Sequence, residues 1–243
     1  MMRRAGSARL LAGLILASLG VLAQPASKAS GHWEGTLEAP NQKVGIVVDL
    51  SKSAAGLWTG SFSIPQANTR DIPVEKISVE DPVVRFVVPG FPGSPSFEGK
   101  LSADGMSLAG TATARNTPIP FQLKRTGEAK VNLPPPSSVL PKDFEGTWEG
   151  TLDANGNQLR IVVKLAPATN GAATGALISV DQGNQPIPID TITIKGRQLK
   201  FEVRLVGGTF LGALGANGEI SGNWSQGPNS LPLTLKRAAA STP

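Results

Sequence analysis

The chain contains itself twice. Residues 31–37 read GHWEGTL and residues 146–152 read GTWEGTL, 115 positions later. Four more segments match in the same order: VGIVVDL (44–50) with LRIVVKL (159–165), IPVEKISV (72–79) with IPIDTITI (187–194), FEGKLSADG (97–105) with FLGALGANG (210–218), and IPFQLKR (119–125) with LPLTLKR (231–237). A single shared heptapeptide could be chance, but an ordered series at nearly constant offset means that one folding unit was duplicated. The units span residues 31–126 and 146–238. Between them, residues 127–145 carry Pro134, Pro135, Pro136 and Pro141, which favour a stiff extended linker outside both cores.

Within each unit apolar residues alternate rather than recur at three and four. Leu159, Ile161, Val163 and Leu165 fall on one face with Arg160 and Lys164 on the other, and Leu199, Phe201, Val203 and Leu205 oppose Lys200, Glu202 and Arg204. That is strand periodicity, cut by turn pairs at Asp104-Gly105, Asn155-Gly156 and Asn217-Gly218. The expectation is an all-β protein of two tandem antiparallel up-and-down β-barrels, of about eight strands each. Gly35, Gly60, Gly99 and Gly110, with Gly150, Gly175, Gly212 and Gly222, sit mid-strand on the apolar parity, where glycine marks a tight bend or a close neighbour. The parity slips within IPVEKISV and IPIDTITI, which predicts β-bulges at 75–76 and 190–191. Trp58, Phe62, Phe86, Phe97, Phe121, Phe201, Phe210 and Trp224 are the expected interior fillers.

The first 23 residues read as a cleavable export signal: Arg3, Arg4 and Arg9 precede the apolar run Leu10–Ala23, with Val21 and Ala23 at the positions a signal peptidase reads. The run is shorter than the ~20 residues of a membrane span. Residues 24–30 and 239–243 are expected to be disordered. Without its leader the chain carries 20 basic against 18 acidic residues, so the overall charge of +5 belongs mostly to the leader. No mature segment clusters Lys and Arg with aromatics, which argues against nucleic-acid binding. A periplasmic or secreted chain lacking cysteine takes its stability from buried apolar area.

In a closed meander the first strand lies beside the last, so Trp33 should meet Arg125 at one end, and Trp148 should meet Arg237, each guanidinium stacking on an indole as a structural plug. Gly-x-Trp opening the first strand with a basic residue closing the last resembles lipocalin and avidin-like barrels, in which that pair seals the base. Both units, clearest as GTWEGTL, IPI, GNWSQG and LPLTLKR in the second, are similar to a β-rich domain that precedes the catalytic domain of some secreted bacterial α/β-hydrolase and peptidase-like proteins. The resemblance covers both units. The first unit departs from it, with TATARNT at 111–117 where the second has NWSQGPNS, and the catalytic half is absent from this sequence.

Several chemistries lack their residues. Serine-hydrolase chemistry wants a histidine base and a G-x-S-x-G elbow, but the only histidine is His32, read as outward and on the surface, and its counterpart is Thr147. Zinc or iron would need several His or Cys ligands. The segment DANGNQ, with Asp153, Asn155 and Asn157, imitates the start of a calcium loop without its closing glutamate and reads as a hairpin turn. Glu34 and Glu149 recur as outward strand charges. No catalytic residue, metal or cofactor is therefore expected. The longer loops gather at the end opposite the tryptophan plug and carry Gln66, Asn68, Arg70, Phe91 and Asn116 in the first unit, and Gln182, Asn184, Gln185, Gln226 and Asn229 in the second. Amide-rich loops around an apolar mouth suit a small apolar or amphipathic ligand or a protein partner. The expected function is that of an exported non-catalytic binding or accessory protein, with no stable membrane anchor. The alternative is a purely structural or interaction module that assists a separate secreted hydrolase.

Overall fold

The computed structural model describes residues 27–40, 42–154 and 156–238. The expected leader, the tail at 239–243 and the turn residue Asn155 lie outside the described residues. The rest is all-β. The first unit comprises β1 (Gly31–Ala39), β2 (Gln42–Lys52), β3 (Trp58–Ile64), β4 (Thr69–Pro73), β5 (Glu75–Glu80), β6 (Val83–Val87), β7 (Ser96–Leu101), β8 (Ser107–Ala114) and β9 (Thr117–Gly127). The second comprises β10 (Gly146–Ala154), β11 (Asn157–Pro167), β12 (Ala173–Ser179), β13 (Pro186–Pro188), β14 (Thr191–Lys195), β15 (Gln198–Val203), β16 (Gly208–Leu214), β17 (Ile220–Gln226) and β18 (Asn229–Arg237).

Each unit is one antiparallel nine-stranded sheet, ordered β4-β3-β2-β1-β9-β8-β7-β6-β5 and β13-β12-β11-β10-β18-β17-β16-β15-β14. The two edge strands of each sheet are consecutive in the chain, so they form a single bent strand that changes partner midway. Val74 N donates to Gly60 O of β3 at 3.1 Å, and the next residue, Glu75, pairs with Val87 of β6. The second unit does the same with Ile189 N to Gly175 O (3.0 Å) and Asp190 N to Glu202 O (2.9 Å). Counting that bent strand once gives the eight expected per unit. The parity slip at 75–76 is a register shift between Glu75 and Ser78 with Lys76 at φ 51°. Its counterpart is the break at 189–190, one residue before the position expected.

The seams differ. β1 pairs β9 from His32 to Leu37, whereas β10 holds β18 only at Trp148–Arg237 and Glu149–Lys236. The first sheet is consequently a nearly closed barrel, and the second a half-barrel that opens along its seam. Inward side chains make two cores, one around Trp33, Phe86, Phe97 and Phe121, the other around Trp148, Phe201, Phe210 and Ile192. Outward positions such as Arg85, Glu98, Lys200 and Glu202 pair with one another, the reverse of a membrane-spanning barrel, whose outer band is apolar.

Close strand contact explains the mid-strand glycines. A Cβ on Gly35 would stand 1.9 Å from Gln122 O, and one on Gly222 would stand 2.1 Å from Leu211 O. Both neighbours are backbone and cannot step aside.

The base of each barrel is capped by the residues just before it. Trp33 Nε1 donates to Ala29 O at 3.1 Å and Trp148 Nε1 to Phe144 O at 2.9 Å, with both indoles fully buried. Burying an aromatic ring of this size stabilises by about 2–3 kcal/mol provided that its N–H finds a partner. Residues 27–30 are thus ordered, against the disorder expected of 24–30, because Ala29 lies in the core and accepts the indole hydrogen bond. The spacer is also no free rod. Leu140 and Phe144 belong to the second core, Ser138 N donates to Ile192 O (2.8 Å) and Ala173 N to Ser138 O (2.7 Å), so residues 138–145 are part of the second barrel.

Candidate ligand site in the second barrel

The conserved frame of the two barrels ends at the mouth, where their fillings diverge. Register places Phe62 opposite Val48, and Leu177 opposite Val163, at equivalent points. Phe121 opposite Gly110 corresponds to Leu233 opposite Gly222, and Ala112 opposite Phe97 corresponds to Trp224 opposite Phe210. In the first barrel Phe62, Phe86, Phe97 and Phe121 make a continuous ring cluster, and Phe91 from the 88–95 loop closes it edge-on to Phe62 at 5.9 Å. A purely apolar recess of about 180 Å³ remains, bordered by Phe91, Pro92, Ile64 and Ile119.

The second barrel is emptier. With leucines at 177 and 233, and Val206 where Phe91 would close the mouth, a cavity of about 300 Å³ opens. Its floor is Leu152, Leu159, Ile161, Leu177 and Leu233, one wall is Trp224, and Ser179, Gln182, Gln226 and Asn229 stand at the rim. The indole of Trp224 fits because Gly208 has no side chain: a Cβ there would lie 2.0 Å from the Trp224 ring. Trp224 Nε1 donates to Gln226 Oε1 (3.3 Å), and Gln226 Nε2 donates to Val206 O (2.8 Å), so one amide ties the wall to the 204–206 turn. Ser179 Oγ donates to Gln182 Oε1 at 3.0 Å. A concave, mostly apolar space with a few convergent amides has the form of a small-molecule site.

The mouth residues expected from sequence divide into three groups. Gln182, Gln226, Asn229 and Phe91 line the two recesses. Asn116 and Asn184, at φ 64° and 53°, are turn-formers. Gln66 lies over Gly45, while Asn68 and Arg70 face the other barrel across a cleft that also contains Asp71, Asn132, Arg204 and Gly207. There Thr69 Oγ1 donates to Leu205 O (2.8 Å), and Arg204 Nη1 donates to Asp71 O (2.8 Å) and Asn132 O (2.6 Å). Gln66, Asn68 and Arg70 therefore do not reach a barrel lumen. The β3 to β4 connection turns them outward, and the second barrel covers it. The lining residues Leu152, Leu177, Val206 and Gly208 escape sequence reasoning, since in a single copy they look like core. Set against the first copy, Leu177 and Val206 stand where it has Phe62 and Phe91, whereas Leu152 stands where it has Leu37.

At the base, Trp148 and Arg237 are register partners with the guanidinium carbon 4.5 Å from the ring centroid, and Arg237 also donates to Asp143 O at 2.8 Å. Trp33 and Arg125 are register partners too, but the Arg125 guanidinium reaches over Gly31 to donate to Ser30 O. Trp58 stands at this end as well, half-buried under Lys52 Nζ at 5.8 Å, rather than filling the interior.

His32 is not an ordinary surface histidine. Its Nδ1 lies 2.8 Å from Asp49 Oδ1 and its Nε2 lies 3.1 Å from Glu34 Oε1. Asp49 is 4% exposed and also accepts Lys130 N at 2.6 Å, which fastens the linker to the first barrel. Ser61 sits on the strand beyond Asp49, its buried hydroxyl without a hydrogen-bond partner. The residue types are those of a hydrolytic triad, but the order is not. The carboxylate stands between serine and imidazole, and both ring nitrogens face carboxylates, so the imidazole does not reach the hydroxyl as it does in a triad. Among the described residues no group of three or more His, Cys, Asp or Glu is placed to hold a metal ion.

No family model matches the chain. No curated protein matches it either. Solved structures similar to it include a protein of unknown function from the DUF3598 family of Nostoc punctiforme, at 13% identity, covering 87% of this chain and 97% of that one with a TM-score of 0.25. Others are a candidate outer membrane protein of Bacteroides fragilis (8% identity, 86% and 96% covered, TM-score 0.28) and a candidate AttH protein of Nitrosomonas europaea (8%, 84% and 91%, TM-score 0.21). Superpositions this loose carry no argument, and the barrel assignment rests on the strand order and register above.

Proposed function

We propose that this is an exported, non-catalytic binding protein whose second barrel takes a small amphipathic ligand through its mouth. The observation that carries the reading is the roughly 300 Å³ cavity with a leucine floor and an amide rim, present where the sister barrel is filled by aromatics. Export is motivated by the arginines and the apolar run at the N-terminus, and N-terminal sequencing of the exported protein should begin at Gln24.

The first barrel supplies the control. Leu177→Phe with Leu233→Phe restores its fillers, so a neutral solvatochromic naphthalene dye should bind the unaltered protein, shift Trp224 emission, and bind the filled variant at least tenfold more weakly. Equal binding by both removes the cavity as the site. The aromatic closure of the first barrel favours a structural role for that unit, and the likeness to domains that precede secreted hydrolases makes such an enzyme the partner to test. A filled variant that folds and still restores function to a deletion strain would favour the structural reading for the whole chain.

A further inference from the structure

Resting on that reading, we infer that the second-barrel cavity selects an uncharged amphiphile of about ten heavy atoms whose head is a hydrogen-bond acceptor, such as a medium-chain alcohol, ester or amide. Size comes first. A liquid water occupies about 30 Å³ and a methylene is of similar bulk, so 300 Å³ holds about ten such groups. A longer acyl chain would leave its excess methylenes outside the mouth.

Charge comes second. Among the described residues no Asp, Glu, Lys, Arg or His lines the cavity. The charges next to the lining residues are already engaged: Arg160 Nη2 donates to Asp181 Oδ1 at 2.6 Å, Asp153 accepts Gly156 N at 2.7 Å, and the Arg204 guanidinium donates to Asp71 O of the first barrel. An ionic head entering this mouth would shed water and meet no counter-ion, a cost that only a paired or well-solvated charge escapes. The rim instead offers amides. Gln182 Oε1 is engaged by Ser179, which leaves the Gln182 amide group as a donor, and Asn229 stands across the mouth.

Titration of Trp224 emission with 1-decanol, decanoate and decylammonium at neutral pH tests this, because Trp33, Trp58 and Trp148 all sit at the barrel bases. Decanol should bind at least tenfold tighter than either ion. Decanoic acid should match decanol once protonated, well below its carboxyl pKa. Asn229→Lys on the exposed hairpin should raise decanoate affinity at least tenfold by supplying the missing cation, and Gln182→Leu should weaken decanol several-fold. Decanoate or decylammonium equalling decanol on the unaltered protein overturns the inference, as does decanol failing where the neutral dye binds. If the dye fails as well, the binding reading falls with it.

Discussion

Two residues show how little tolerance the barrels have where strands cross closely. Gly35 has the Gln122 carbonyl 1.9 Å from where a Cβ would go, whereas Gly127 has nothing within 4 Å. Gly35→Ala should therefore cost about 3 kcal/mol in urea denaturation, at the upper end for overpacking, and Gly127→Ala should change little. The tryptophans separate in the same way. Trp148→Phe removes a buried N–H donor to Phe144 O and replaces the indole under Arg237 by a smaller, weaker cation-binding phenyl ring, a combined loss of about 1–3 kcal/mol. Trp58→Phe, at a half-buried ring beside Lys52, should fall within about 0.5 kcal/mol of the unaltered protein.

The bent strand is the element that turns a meander into a barrel, and its second copy contains a titratable group. Burial pushes the Asp190 carboxyl above the usual carboxylate range, only partly offset by the hydrogen bond from Arg204 N and the Arg204 charge. Since the raised pKa belongs to the folded state, the fold binds more protons than the unfolded chain just above pH 4. Asp190 therefore contributes a stability that falls as pH rises from the ordinary carboxylate value through the raised one. Asp190→Asn keeps an acceptor for Arg204 N and removes the ionisation. Relative to the unaltered protein it should gain stability as pH rises above the ordinary carboxylate value of about 4, measured by denaturation at stepped pH, and a constant difference would show that the site does not titrate there.

At the scale of the molecule, the linker and the 204–206 turn make the two barrels lean on one another. Asp49 holds Lys130, Arg204 holds Asn132 and Asp71, and Leu205 packs on the first core. Thr69→Val with Arg204→Ala should split one calorimetric unfolding transition into two, because the hydrogen bonds that join the barrels are lost while both cores stay intact. A chain beginning at residue 146 should fail to fold cooperatively. One beginning at 134 should succeed, since Leu140 and Phe144 complete the second core and Phe144 O receives the Trp148 indole. Val206 lies at the cavity mouth while its neighbours Arg204 and Leu205 grip the first barrel, so ligand occupancy should stabilise the junction as well as the cavity.

Duplication, strand periodicity, the closed end and the bulge of the first unit were legible in the residues, because alternation, glycine placement and turn chemistry are local properties that a chain displays in one dimension. Gln182, Gln226 and Asn229 could be placed at a mouth from strand order alone. Which barrel is hollow could not. That depended on Phe62, Phe91 and Phe121 facing one another in one copy while Leu177, Val206 and Leu233 face Trp224 in the other, a sum of volumes across strands far apart in sequence. The burial of His32 against Asp49, the capture of the linker by both barrels and the outward turn of Asn68 and Arg70 are likewise contacts between distant segments. Such contacts are chosen by how closed sheets pack, and no single strand encodes them.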